Sequence, residues 1–170
     1  MPNEIEALGK SYKPDSVKLL YLAECPKNNH EHFYNRGSRI YRRINESFAE
    51  VYPKQFTEDN FLDFFKSKGC YLLYLCYEPI ADLPGDPYES YRIHKRSEGV
   101  DSLAEKIKEC APEYIKYIIM IMREIEDKYR DAIIRSGIRF QTAFAIVHPT
   151  DRVYHLFLEK NIDFLKKNHI

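Results

Sequence analysis

The sequence has few of the features that would place the chain outside the ordinary globular proteins. Glycine and proline account for only 6 and 9 of its 170 residues, too few for a fibrous or disordered chain. The longest apolar run falls far short of the roughly 18 residues that span a bilayer. The acidic start MPNEIEALGK lacks the apolar core of a secretory signal. We therefore expect a cytoplasmic protein without a membrane segment.

The cysteines do not form a metal-binding pattern. The four residues Cys25, Cys70, Cys76 and Cys110 include no C-x-x-C pair and no histidine at matching spacing, so neither a metal nor a cofactor is expected. Three of them lie in or beside apolar runs, where a free cysteine packs as a small hydrophobic residue. Cys25 differs because it directly follows a predicted strand.

Apolar runs alternate with helical patterns along the chain. Continuous apolar runs predict buried strands at residues 17–23, 70–76, 114–122 and 140–147. Apolar residues spaced by three and four predict helices at residues 38–51, 57–69, 102–110, 123–136 and about 152–167. This alternation implies right-handed crossovers between parallel strands. With no repeat or linker, residues 1–170 are predicted to form one α/β domain, a three-layer α/β/α sandwich around a four-stranded parallel sheet.

Residues 77–99 show no sustained period and contain turn residues such as Pro84 and Gly85. They are predicted to form a long loop, and loops of this length inside a compact domain are usually functional or mobile. Ser102 and Glu105 form a capping-box pattern that predicts a helix start, and Pro112 predicts the end of that helix.

Basic residues form two local clusters although the net charge is zero. The first cluster, in and before the helix at 38–51, consists of Arg36, Arg39, Arg42 and Arg43. The second cluster, in the predicted loop, consists of Arg92, His94, Lys95 and Arg96, with Tyr88 and Tyr91 beside it. Zero net charge gives no bulk attraction to nucleic acid, so only such clusters would contact a DNA backbone. A solvated helix face and a solvated loop are the alternative interpretations.

Two short polar segments follow predicted strands. They are Glu24-Cys25-Pro26, after the first strand, and His148-Pro149-Thr150, after the last strand. Ligands of open α/β sheets bind at the carboxyl ends of the strands, so both segments are predicted to border one cleft. There Glu24 would polarise a water molecule while His148 stabilised a leaving group. Taken singly, Glu24 is equally consistent with a capping or ion-paired carboxylate, and His148 is more typical of a hydrogen-bonded structural histidine.

These segments resemble the uracil-DNA glycosylase superfamily. That family has a parallel four-stranded α/β/α core, with a Gly-Glu or Gly-Gln segment ending in Pro after the first strand and a His-Pro-Ser segment after the last core strand. The counterparts here are Ala23-Glu24-Cys25-Pro26 and His148-Pro149-Thr150, and Phe33-Tyr34 lies where an aromatic ring stacks on the extruded base. The resemblance covers about residues 17–164.

The resemblance implies hydrolysis of the N-glycosidic bond of a damaged base flipped out of DNA. Glu24 would orient the attacking water and favour the cationic sugar, and His148 would donate a hydrogen bond to the leaving base. Phe33 would stack on the base, while Thr150 and the backbone around Pro26 would contact flanking phosphates. The implied substrate-binding residues are Cys25, Pro26, Phe33, Tyr34, Tyr77, Glu78, Pro149, Thr150 and Arg152.

The chain departs from the family pattern at several positions. Ala23 replaces the usual glycine, and Thr150 replaces the serine. Tyr77 and Glu78 stand where many members read uracil with an asparagine amide, and an ionised glutamate lacks the donor of such an amide. The iron–sulfur cysteines of some branches are absent, so no cluster is implied. Uracil specificity is therefore not supported.

Two other functions stay open. The chain would be a non-catalytic nucleotide- or DNA-binding module of the same fold if the glycosylase chemistry has been lost. Alternatively, it would be a hydrolase or transferase with Cys25 as nucleophile and His148 as base, although no helix is predicted to begin just after Cys25 and lower the pKa of its thiol.

Overall fold

The four predicted strands form one parallel sheet. The computed structural model of the protein describes residues 4–28, 30–79, 86–111 and 113–170. Its strands are β1 (Leu19–Ala23), β2 (Cys70–Tyr74), β3 (Tyr114–Ile121) and β4 (Arg139–Ile146). They are hydrogen bonded in the order β2-β1-β3-β4, and every pairing is parallel. The predicted α/β sandwich with a central four-stranded parallel sheet is confirmed.

The position of each strand in the sheet explains its burial. In the centre of the sheet, β1 pairs Leu19 with Cys70 on one side and with Tyr117 on the other, and all five of its residues are buried. At one edge, β4 pairs only with β3, and its first four residues are exposed. The chain moves from β1 to β2 on one side and then to β3 on the other. This reversal beside β1 is where open α/β sheets bind ligands.

Helices cover both faces of the sheet. They are α1 (Glu4–Ser11), α2 (Arg39–Val51), α3 (Phe61–Ser67), α4 (Asp86–Cys110), α5 (Glu126–Ser136) and α6 (Tyr154–Asn168). The contacts of α2 with α6, and of α4 with α5, define the two helical layers. Short 3-10 turns precede α2, α3 and α5. The helix α1 was not predicted from the sequence. No helix in the described ranges is both long and apolar enough to cross a membrane.

The prediction of a loop through residue 99 is wrong for residues 86–99, which form the first half of the 25-residue helix α4. This half lies largely in solvent and is held by ion pairs along the helix, such as Lys95 with Glu98 at 3.3 Å, so it has no apolar period. Ser102 lies inside the helix and accepts a hydrogen bond from Lys106 Nζ at 2.7 Å. The turn predicted from Pro84 and Gly85, the stop predicted at Pro112, and the side chain of Tyr88 lie outside the described part.

Candidate functional site

A cavity of about 360 Å³ opens at the carboxyl ends of β1, β2 and β4. Its lining consists of Cys25, Pro26, Lys27, Glu31, Ser38, Arg39, Ile40, Arg42, Tyr74 and His148. The volume lies at the lower end of the range of about 300–1,000 Å³ typical of small-molecule sites. Both segments expected at the cleft thus contribute to one cavity, Cys25 and Pro26 from the first and His148 from the second.

Backbone contacts fix the walls of this cavity. The extension of β1 is held to β2 because Cys76 N–H donates to the Glu24 carbonyl oxygen at 2.8 Å. Ser38 caps α2 by accepting a hydrogen bond from Tyr41 N–H at 3.0 Å. The N-terminus of α2 borders the cavity, because Ser38, Arg39 and Ile40 line it. A helix N-terminus carries partial positive charge, which adds to the cationic side chains nearby.

His148 is half-buried at the end of β4. Its carbonyl oxygen accepts a hydrogen bond from Thr150 N–H at 2.8 Å. Burial lowers the pKa of the His148 imidazole, and the positive charge of Arg39 lowers it further, while Glu24 and Glu124 act in the opposite direction. The ring is therefore neutral at pH 7, and a neutral imidazole still carries one N–H donor.

Glu24 lies at the same strand end but faces the α4 layer. Arg96 Nε of α4 donates a hydrogen bond to Glu24 Oε1 at 2.6 Å, and Arg96 Nη2 forms an ion-pair contact with the same oxygen at 2.5 Å. The Glu24 side chain is only 8% exposed, and the Arg96 side chain is only 13% exposed. Cys25 lines the cavity, whereas Glu24 does not. Glu24 and His148 nevertheless influence each other electrostatically across the sheet edge.

The described lining of the cavity has an excess of positive charge. Lys27 pairs with Glu31 at 3.0 Å, and Arg39 pairs with the exposed Asp151 at 3.5 Å. Arg42 adds a third cation from the exposed face of α2. Exposed ion pairs of this kind contribute little stability, so these cations are available to an anionic ligand.

The aromatic residues after the first segment do not face the cavity. Phe33 is fully buried, and its ring packs against Tyr34, Tyr41 and Phe65 at centroid distances of 5.1, 5.8 and 5.2 Å. Tyr34 is buried as well, and its hydroxyl donates to the Leu72 carbonyl oxygen at 2.7 Å. The expectation that Phe33 stacks on an extruded base is corrected here, because both rings belong to the hydrophobic core.

Tyr77 and Glu78 also lie away from the cavity that His148 lines. The Tyr77 ring packs edge-on against Tyr74, and Glu78 is exposed and pairs with Lys95 of α4 at 3.1 Å. These contacts place both residues between β2 and α4. Neither residue is therefore placed to read a ligand in the cavity.

The residues after His148 differ in exposure. Pro149 is buried, whereas Thr150 and Arg152 are exposed next to the cavity without lining it. The Thr150 carbonyl oxygen accepts a hydrogen bond from Val153 N–H at 3.1 Å, which forms the turn before α6. Thr150 and Arg152 are thus placed to contact the flanks of a ligand that is longer than the cavity.

The two basic clusters separate in the structure. From the first, Arg39 and Arg42 line the cavity, while Arg43 pairs with Glu46 at 2.8 Å and lies over the Tyr154 ring. From the second, Arg96 binds Glu24, Arg92 and Lys95 form ion pairs with glutamates of α4, and His94 contacts Glu98. The cavity therefore receives its cations from α2 and from Lys27.

Two contributions to the site were missed from the sequence. Tyr74, the last residue of β2, lines the cavity, and its hydroxyl accepts a hydrogen bond from Phe33 N–H at 2.9 Å. Arg96 was assigned only to a basic cluster, and no spacing rule links it to Glu24, which is 72 residues away. A carboxylate placed directly after a buried strand is a signal that a cationic partner is needed.

Cys25 is half-buried and shares the cavity with His148, but the next described α-helix begins at Arg39, too far along the chain to activate the Cys25 thiol. No group of three or more potential metal ligands occurs within the described residues.

Searches against protein-family models, curated proteins and solved structures gave no match to the chain.

Proposed function

We propose that this protein hydrolyses the N-glycosidic bond of a damaged base in DNA. The observation that carries the proposal is that His148 and the segment after β1 border one cavity at the carboxyl ends of the strands, beside the reversal in strand order. This is the edge at which sheets of this class bind ligands. The resemblance to the uracil-DNA glycosylase superfamily rests on these same two segments.

The charge of the cavity favours a substrate that carries phosphate. Lys27, Arg39 and Arg42 line it together with a single described carboxylate, that of Glu31. Arginine and lysine side chains are the usual partners of nucleic-acid phosphates. A base flipped out of the helix would enter the cavity, and its flanking phosphates would lie on the rim near Thr150 and Arg152.

The proposed reaction uses His148 and Glu24 in different ways. The bond from sugar C1′ to the base nitrogen breaks, and its electron pair leaves with the base. The N–H of neutral His148 stabilises the negative charge that develops there. With the base in the cavity, the sugar would lie at the strand ends between His148 and Glu24, which influence each other electrostatically. The oxygen of a water molecule on the Glu24 side bonds to C1′, and the proton that this water loses passes to the Glu24 carboxylate and then to solvent. The departed base anion takes its proton from water.

An oligonucleotide cleavage assay tests the proposal. Purified protein is incubated with DNA strands that carry single uracil, hypoxanthine or xanthine residues, and alkali then cuts any abasic product. We expect cutting of at least one strand by the unmodified protein and by Glu50→Gln, a control at an exposed carboxylate on α2. Glu24→Gln is expected to slow cutting on the order of 1,000-fold, the scale of a lost general base. If the folded, unmodified protein cuts no strand, the proposal is wrong.

The second candidate is a module that binds DNA or a nucleotide without turnover. It is favoured by the position of Glu24, whose Oε1 is held by Arg96 on the α4 side. Fluorescence anisotropy with labelled DNA tests this candidate. We expect Arg42→Gln to weaken binding more than Lys167→Gln, which changes a cation near the opposite end of the sheet. Binding with this pattern and no base release would select the second candidate.

A further inference from the structure

Arg96 and Glu24 form a nearly buried ion pair between α4 and the end of β1. Arg96 Nε donates a hydrogen bond to one carboxylate oxygen, Oε1, and Nη2 contacts that same oxygen. Within the described residues, the other carboxylate oxygen, Oε2, accepts no hydrogen bond and is not fully buried. Oε2 is therefore the oxygen open to water, and its direction is set by the grip of Arg96 on Oε1. A planar guanidinium fixes such a geometry in a way that a lysine ammonium does not.

The packing of α4 gives Arg96 a defined position. The Lys95 carbonyl oxygen accepts a hydrogen bond from Cys76 Sγ at 3.3 Å, and Cys76 N–H itself donates to the Glu24 carbonyl oxygen at 2.8 Å. Gly99, one turn further along α4, lies against the backbone of Leu75, where a Cβ atom would collide with the carbonyl oxygen. The helix therefore approaches the end of β2 closely and carries Arg96 to Glu24.

We propose that Arg96 is a positioning residue for Glu24. It holds Oε1 so that Oε2 accepts a hydrogen bond from the attacking water. This inference rests on the proposed glycosylase function, and it adds a residue that the family resemblance does not include. A purely structural ion pair would only join α4 to the sheet, and its removal would lower stability without a specific effect on the reaction.

A double-mutant cycle separates the two roles. Single-turnover base release is measured for the unmodified protein, Arg96→Lys, Glu24→Gln and the double variant, with Arg92→Lys as a control one turn earlier on α4. Arg96→Lys keeps the positive charge, so we expect its melting temperature to stay near that of the control. Its rate should fall on the order of 100-fold, as expected for a small misplacement of a reacting group. The double variant should react no more slowly than Glu24→Gln alone.

Chemical rescue provides an independent readout. In Arg96→Ala, added guanidinium ions should occupy the vacated position and restore part of the rate, while circular dichroism shows an unchanged fold. A rate for Arg96→Lys equal to that of Arg92→Lys would overturn the inference. Multiplicative losses in the double variant, or no rescue of folded Arg96→Ala, would also overturn it. If the unmodified protein releases no base, the proposed function itself fails, and this inference fails with it.

Discussion

Substitution of Phe33 tests whether this residue belongs to the hydrophobic core or stacks on a base. The ring is fully buried and contacts three other aromatic rings. Removing a fully buried phenylalanine side chain costs about 3–5 kcal/mol, through lost burial and the cavity that is left. For a chain of this size each kcal/mol lowers the melting temperature by about 2–4 °C, so Phe33→Ala should melt about 10–15 °C lower. Phe33→Leu keeps most of the apolar volume and should lose about 1.5 kcal/mol.

Thermal and urea unfolding followed by circular dichroism measure these losses, and anisotropy measures DNA binding at a temperature where Phe33→Leu is fully folded. We expect reduced stability with unchanged affinity. Phe140→Ala is the matched control, because that ring is 42% exposed on β4; its loss gives up only part of the burial and should cost about 1–1.5 kcal/mol. Unchanged stability of Phe33→Leu together with weaker binding would refute the assignment of Phe33 to the core.

Three further predictions concern the elements around the site. Gly99→Ala places a methyl group against the backbone at the end of β2. It should lower the free energy of unfolding, measured in urea, by about 1–3 kcal/mol. An unchanged unfolding midpoint would contradict the close packing of α4. Ser38→Ala removes the hydrogen bond accepted from Tyr41 N–H and should cost about 1 kcal/mol, whereas Ser38→Asp should retain most of the stability. Because the folded-state pKa of His148 is lowered, the unfolded chain binds more protons, so stability should fall as the pH drops below about 6.5. His148→Gln should reduce this dependence of stability on pH. NMR titration should show that Arg39→Gln raises the pKa of His148, and an unchanged pKa would exclude the influence of Arg39.

The strands could be predicted because each is an apolar run in a sheet covered on both faces. Burial on both faces leaves no alternation to interpret, and the turn residues after each run mark its end. The edge strand β4 fits less well, since its first residues are exposed. The first half of α4 could not be predicted in this way, because a helix that lies in solvent has no apolar period.

The site was predictable only as far as topology determines it. Parallel strands bring their carboxyl ends to one edge, so the common location of Cys25, Pro26 and His148 followed from the order of the elements. The direction of each side chain did not follow. Phe33 lies near the first segment in the sequence but packs into the core, and the contact between Glu24 and Arg96 joins residues from distant parts of the chain.

Direct detection of the released base tests the central claim most sharply. Under single-turnover conditions, mass spectrometry is used to quantify the free base and the abasic strand after incubation with each damaged oligonucleotide. The account predicts equal amounts of both products from one substrate, and formation of both on the order of 1,000-fold slower with Glu24→Gln. Binding of the oligonucleotides with no free base from any of them would contradict the account and identify the cavity as a binding site without glycosylase activity.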